Sequence, residues 1–239
     1  MPNNSTTKRA RLGPAPGAIK ELLGNARDCQ NVLQPLHETK GIIFPYTPTV
    51  MFGSAANYTS WHFTHSNYQQ FQYQNSMPNE ITVTGVFTAQ TNEEARYLLA
   101  VLTFLRSASM IDFGNAAVQR DTAGTPPPVL RWNYLGARMF KNVPVVVQST
   151  TYILEPDVDY VEVTFPGTGG NNLRDTGLTR AIAGATNGQL PILEDVRTYV
   201  PTQLTLTVVL GVQQNPRNVR DNFDLDAFSR GDLINKGFI

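Results

Sequence analysis

The side chains able to do chemistry in this 239-residue chain are few and poorly grouped. Cys29 is the only cysteine, so no internal disulfide can form and no oxidising compartment is implied. A thiol nucleophile needs a base beside it, and only His37 stands anywhere near, so a structural cysteine is the better reading. His62 and His65 flank Phe63 and Thr64. Residues three apart in a strand point to opposite faces, which makes a poor metal pair. Glu155, Asp157, Asp159 and Glu162 cluster as hard-cation ligands would, but without the glycine and spacing of a calcium loop, so a solvated acidic edge is preferred. GTGG at 167–170 lacks the following Lys-Ser/Thr and the strand-to-helix setting of a phosphate loop. No G-x-S-x-G, H-E-x-x-H or C-x-x-C occurs. Aromatic rings interleave with amides over 58–73 as in a base-stacking surface, yet no Lys or Arg is there to follow a phosphate backbone. The reading is of a protein without catalysis, metal or cofactor.

The elements that must position these residues centre on 81–105. Ile81, Val83, Val86 and Phe87 give a half-buried strand whose pattern slips around Gly85, which signals a bulge or a close backbone approach. Thr91-Asn92-Glu93-Glu94 is a capping box, and Ala95, Leu98, Leu102 and Leu105 follow at helical spacing, so a helix is expected over 92–106. Nearly everything else reads as strand. Residues 41–53 carry Pro45 and Pro48, which demote the stretch to an edge strand or an extended segment. A hairpin is expected over 58–75, turning at Ser66-Asn67. Strands follow at 129–134 after three prolines, at 139–156, at 157–165 and at 199–214, where Leu204, Leu206, Val208, Leu210 and Val212 alternate. The Gly-, Asn- and Thr-rich stretch after 166 is a long loop reaching residue 196.

Three segments result. Residues 1–40 form an N-terminal arm, basic and flexible over 1–17, with a short helix near 19–26. Residues 41–217 form an antiparallel sandwich or small barrel, and 218–239 is a terminal strap whose apolar residues dock on the parent core or on a neighbour. Lys plus Arg equals Asp plus Glu, at 19 each, so no strongly basic nucleic-acid surface is implied overall. Charged residues make up 16%, against about 25% in a typical soluble domain, as suits a subunit that lives against neighbours. The first twelve residues lack an apolar core and no run approaches a membrane span, so cytoplasmic synthesis and no membrane partner are expected.

Several phrases, in order, resemble the baseplate tail-tube junction, or tube initiator, proteins of contractile-tailed bacteriophages. They are IIFPYTPTV (42–50), HFTHSNYQQFQYQNS (62–76), ITVTGVFTAQTNEEARYLLAVLTFLRS (81–107), GTPPPVLRWNYLG (124–136), FKNVPVVVQSTTYILEPDVDYV (140–161) and VPTQLTLTVVL (200–210). The ending FDLDAFSRGDLINKGFI is similar to that family's terminal strap. The resemblance covers most of 41–239. It implies a mainly β fold of tail-tube type, two packed antiparallel sheets with one flanking amphipathic helix. It further implies a homo-hexameric ring in the virion, joining the baseplate hub to the tail tube and templating tube assembly, with DNA passing through its channel. Partners would be the hub protein, the adjacent junction or tube ring and, further out, tape measure, wedge or sheath proteins. Candidate inter-subunit contacts are Phe223, Leu225, Phe228, Leu233, Ile234 and Phe238. Candidate lumen-facing acids are Asp157, Asp159 and Glu162. Two alternatives stand beside this: the repeating major tube subunit, and a glycan-binding β-sandwich using Trp61, Trp132 and nearby tyrosines as sugar platforms.

Overall fold

The computed structural model describes residues 8–15, 23, 32–111, 113, 124–165 and 196–239. Cys29, the GTGG stretch, most of the short helix expected near 19–26 and the loop from 166 to 195 lie outside the described residues. In chain order the elements are β1 (Arg11–Pro14), α1 (Gln34–Thr39), β2 (Ile42–Ile43), β3 (Thr49–Met51), β4 (Ser54–Trp61), β5 (Gln70–Pro78), β6 (Ile81–Thr88) and α2 (Asn92–Ala108). Then come β7 (Leu130–Tyr134), β8 (Phe140–Ile153), β9 (Tyr160–Phe165), β10 (Val196–Pro201), β11 (Gln203–Val212), α3 (Pro216–Asn222) and α4 (Leu225–Ser229).

The protein is mainly β and every pairing is antiparallel. Seven strands form one sheet in the order β2-β1-β7-β8-β11-β6-β3, while β9 pairs with β10 and β4 pairs with β5. The edge strands β2 and β3 follow each other in the chain but share no ladder, so the barrel is not closed. The sheet nevertheless curls. Phe44, just after β2, lies 5.4 Å from the ring of Phe87 on β6 and 6.1 Å from that of Trp132 on β7, although two strands separate β6 from β7 in the sheet. The prolines at 45 and 48 thus sit where β-ladders end, as their missing N–H groups require.

β6 keeps its period throughout. Ile81, Val83, Gly85 and Phe87 all face inward and Val86 faces out, so the expected slip does not occur. Glycine fills an inward slot because a Cβ there would lie 2.6 Å from the Phe44 ring. β1 is a second correction. Residues 11–14, assigned from sequence to a flexible arm, pair with β2 on one side and β7 on the other, and Leu12 is buried.

α2 begins at the expected capping box. Thr91 Oγ1 accepts from the Glu94 amide at 3.3 Å, and Glu94 Oε2 accepts from the Thr91 amide at 3.4 Å. It buries Leu98, Val101, Leu102, Phe104 and Leu105 against β6, β8, β9 and β10. On its other flank the Tyr97 hydroxyl accepts from the Ile43 amide at 2.7 Å and donates to the Ile43 carbonyl at 3.0 Å, fastening the short β2 to the helix. Desolvation raises the Tyr97 pKa above its ordinary value, partly opposed by the hydrogen bond to Ile43. The folded phenol therefore keeps its proton where the unfolded one loses it. Its contribution is complete below about pH 10 and declines as pH rises toward the folded value. Tyr97→Phe should cost about 1–3 kcal/mol and flatten the alkaline limb of stability. Urea denaturation near neutrality and above pH 10 checks both.

Candidate functional site

Two long ribbons lie side by side in the register. In the first, β3 and β4 run outward and β5 and β6 return. Thr49 pairs with Thr84 at its base and Trp61 with Gln70 near its tip, and the Asn79 amide donating to the Gly53 carbonyl at 2.8 Å bridges the join. In the second, β8 and β9 run outward and β10 and β11 return, with the Thr202 amide donating to the Asp159 carbonyl at 2.8 Å across the step. β6 and β11 join the ribbons at their bases.

The outer part of the first ribbon leaves the body. β4 and β5 pair only with each other, over eight or nine residues and thus about 26 Å. Its residues are exposed on both faces apart from Ala55 and Asn57. From 41 to 79 the chain contains no Asp, Glu, Lys or Arg. Register sorts the two faces. One carries Tyr58 opposite Tyr73, their rings 5.7 Å apart edge to face, with Phe71 beside them opposite Ser60. The other carries an amide lattice. Asn57 Nδ2 donates to Asn75 Oδ1 at 2.8 Å, and Trp61 Nε1 donates to Gln72 Oε1 at 3.0 Å. At the tip, Ser66 Oγ donates to the Tyr68 carbonyl, and Tyr68 itself is 84% exposed. The hairpin is longer than its sequence outline, 54–78 against 58–75, and turns through 62–69. His62 and His65 ride on that turn, whereas His37 is structural, its Nε2 2.9 Å from the Leu23 carbonyl.

A second surface is the outward face of four neighbouring strands at the β3 side of the sheet. One row across β3, β6, β11 and β8 reads Thr49, Thr84, Thr207, Thr151, with the Thr84 and Thr207 hydroxyls 3.0 Å apart. The next row reads Met51, Thr82, Val209, Ser149. None of these eight carries a charge. Sequence reasoning missed this face because threonines on separate strands line up only once register is fixed.

No protein-family model matches the chain, and no curated protein matches it either.

The sequence-nominated residues are not brought together at one place. Asp157 and Asp159 are exposed in the connection between β8 and β9, and Glu162 on β9 meets Arg197 at 3.4 Å. Among the described residues no group of His, Cys, Asp or Glu is arranged to hold a metal ion, and no helix is long and apolar enough to cross a membrane. Trp132 is fully buried between strands, which removes it as a sugar platform, while Trp61 is 55% exposed.

The strap divides. Leu233 and Phe238 are buried within the chain against the base of β8, so these two candidate contacts belong to the parent core. Phe228 and Ile234 are half-buried. Phe223 stands 5.6 Å from both Phe228 and Phe238, and together with Leu225 it remains exposed. Gly237 holds the strap down with φ at 83°, and a Cβ there would lie 2.6 Å from the Asn142 carbonyl oxygen. Gly237→Val should therefore undock residues 233–239, at a cost of about 1–3 kcal/mol. Faster limited proteolysis near the C-terminus reads this out.

Proposed function

We propose that this chain is a structural virion protein that completes its sheets with copies of itself, forming a hexameric ring around an axial channel. The ring joins a phage baseplate hub to the tail tube and templates tube polymerisation. The observation that carries this reading is the projecting hairpin. A two-stranded ribbon in water is at best marginally stable alone, and unpaired strand edges without charge invite association. A hairpin with one aromatic face, one amide face and no charged side chain is suited to lie along a neighbour's sheet. In a closed ring every such edge is covered. The resemblance of the phrases between 41 and 239 to tube initiators supports the same assignment.

The two uncharged rows, one of them all threonine, are the natural channel lining. Hydroxyls without fixed charge give a polyanion neither cationic anchors nor a strong barrier, so DNA slides past without counterion release. This assigns the lumen to the sheet face rather than to Asp157, Asp159 and Glu162.

Electron microscopy of assembled tails tests the proposal. The chain should occupy a sixfold ring on the tube axis, next to the hub, in a single layer. Density away from the axis, or many repeated layers as for a major tube subunit, would overturn it.

A further inference from the structure

A cleft of about 530 Å³ opens beside the start of β8. Among the described residues five cations line it, Arg9, Arg11, Lys40, Arg131 and Lys141, and no carboxylate does. Tyr134 and Phe140 supply part of an apolar wall. Two of the guanidiniums are held by main-chain oxygens. Arg11 Nη2 donates to the Thr39 carbonyl at 2.9 Å, and Arg131 Nη1 donates to the Asn142 carbonyl at 3.0 Å. Such bonds orient a charge without neutralising it. The ion pairs among the described residues, Arg197 with Glu162, Arg220 with Asp221 and Arg230 with Asp232, use none of these five.

The opposite chemistry stands at the other end of the same strand. β8 runs 14 residues from Phe140 to Ile153, about 45 Å if extended. It ends in the corner ILEPDVDY, 153–160. Glu155, Asp157 and Asp159 lie there between exposed Ile153, Leu154 and Tyr160, and no ion pair among the described residues neutralises these acids. The formal net charge is zero, yet the five cations gather near the start of β8 and Glu155, Asp157 and Asp159 just beyond its end.

We infer that the basic cleft of one copy receives the acidic 153–160 corner of a second copy. A cleft of cations with an aromatic wall fits carboxylates interleaved with Leu154 and Tyr160, and a single molecule cannot bring its own two ends together. The contact is heterologous, head to tail, so it closes into a ring or continues into a stack according to the rotation it imposes. The inference rests on the proposal that copies of this chain assemble, and it assigns the acids to an interface.

The test uses two variants of the full chain, Arg9→Glu with Lys141→Glu in the cleft, and Asp157→Lys with Asp159→Lys in the corner. Native mass spectrometry and sedimentation at low salt give the readout, with thermal melts confirming that each variant folds. Each alone should self-associate about a hundredfold more weakly than the unmodified chain. Mixed together they should associate more tightly than either variant alone, because one intact cleft meets one intact corner. Should charge reversal disturb folding, Lys141→Ala and Asp157→Ala provide the milder pair. Assemblies that persist unchanged in both variants would overturn the cleft contact while leaving the ring proposal standing. An unmodified chain that stays monomeric at every concentration and salt would overturn both. Binding of a DNA duplex that the cleft variant alone loses, without any change in self-association, would reassign the cleft to phosphate.

Discussion

Replacing Tyr58, Phe71 and Tyr73 together by serine should abolish assembly while leaving the subunit folded. The three rings form one face of the projecting hairpin and are 57%, 63% and 54% exposed in the single chain. Nothing in the core depends on them, so the melting temperature of the monomer should hardly move. In an assembly the same rings become central, desolvated anchors. Truncating one such anchor typically costs 2 kcal/mol or more, and because the effects overlap a combined loss of about 4 kcal/mol, or a thousandfold in affinity, is expected. The edge-to-face pair of Tyr58 and Tyr73 also stiffens the hairpin, worth about 1 kcal/mol, which adds to the loss through preorganisation. The control lies on the opposite face, where Gln72→Ser removes one acceptor from the amide lattice and should weaken assembly far less. Sedimentation of the purified chain gives the answer. Undiminished oligomers in the triple variant would mean that the hairpin faces solvent in the assembly as well.

The parts of the molecule legible in the sequence are those specified locally. The capping box at Thr91 and Glu94 and the alternation over 204–212 fall where they were read, because helix caps and strand faces are set by neighbours a few residues apart. β1 was not legible. Four residues containing glycine and proline carry no strand pattern of their own, and they become a strand by pairing with β2 on one side and, far along the chain, with β7 on the other. The Gly85 slip misled for the same reason, since the Phe44 ring that fills its place comes from outside the strand. Both candidate surfaces are properties of register. Residues from four strands make the uncharged rows, and residues near the N-terminus, Lys40 and the β7–β8 region make the basic cleft. The hairpin was half legible: its aromatic and amide alternation showed a strand pair, but not that no other strand would cover it. Amphipathic alternation looks the same whether the apolar face meets its own core or a second molecule.

Trp132 shows how that ambiguity is resolved at a single residue. Its indole is 0% exposed, lies 6.1 Å from Phe44 and 6.0 Å from Tyr134, and pairs across the sheet with Leu12 and Val143. Trp132→Ala should cost about 3–5 kcal/mol, the transfer free energy of the ring plus that of the cavity left behind. This is a large share of the 5–15 kcal/mol typical of whole domains. The damage should spread toward the nearest edge. β1 and β2 are short and rest on this indole and on Phe44, so amide exchange at Leu12 and Gly13 should accelerate more than at Leu206 in the sheet centre. Trp132→Phe should cost less than half as much, because it keeps a ring and removes an indole N–H that has no hydrogen-bond partner. It also leaves Trp61 as the sole fluorophore of its kind. Emission should then shift to the red and become fully open to iodide, as a 55% exposed indole requires. A cost below about 1 kcal/mol for Trp132→Ala would place the indole at the surface, where a sugar platform needs it and where the curled core described above has no room for it.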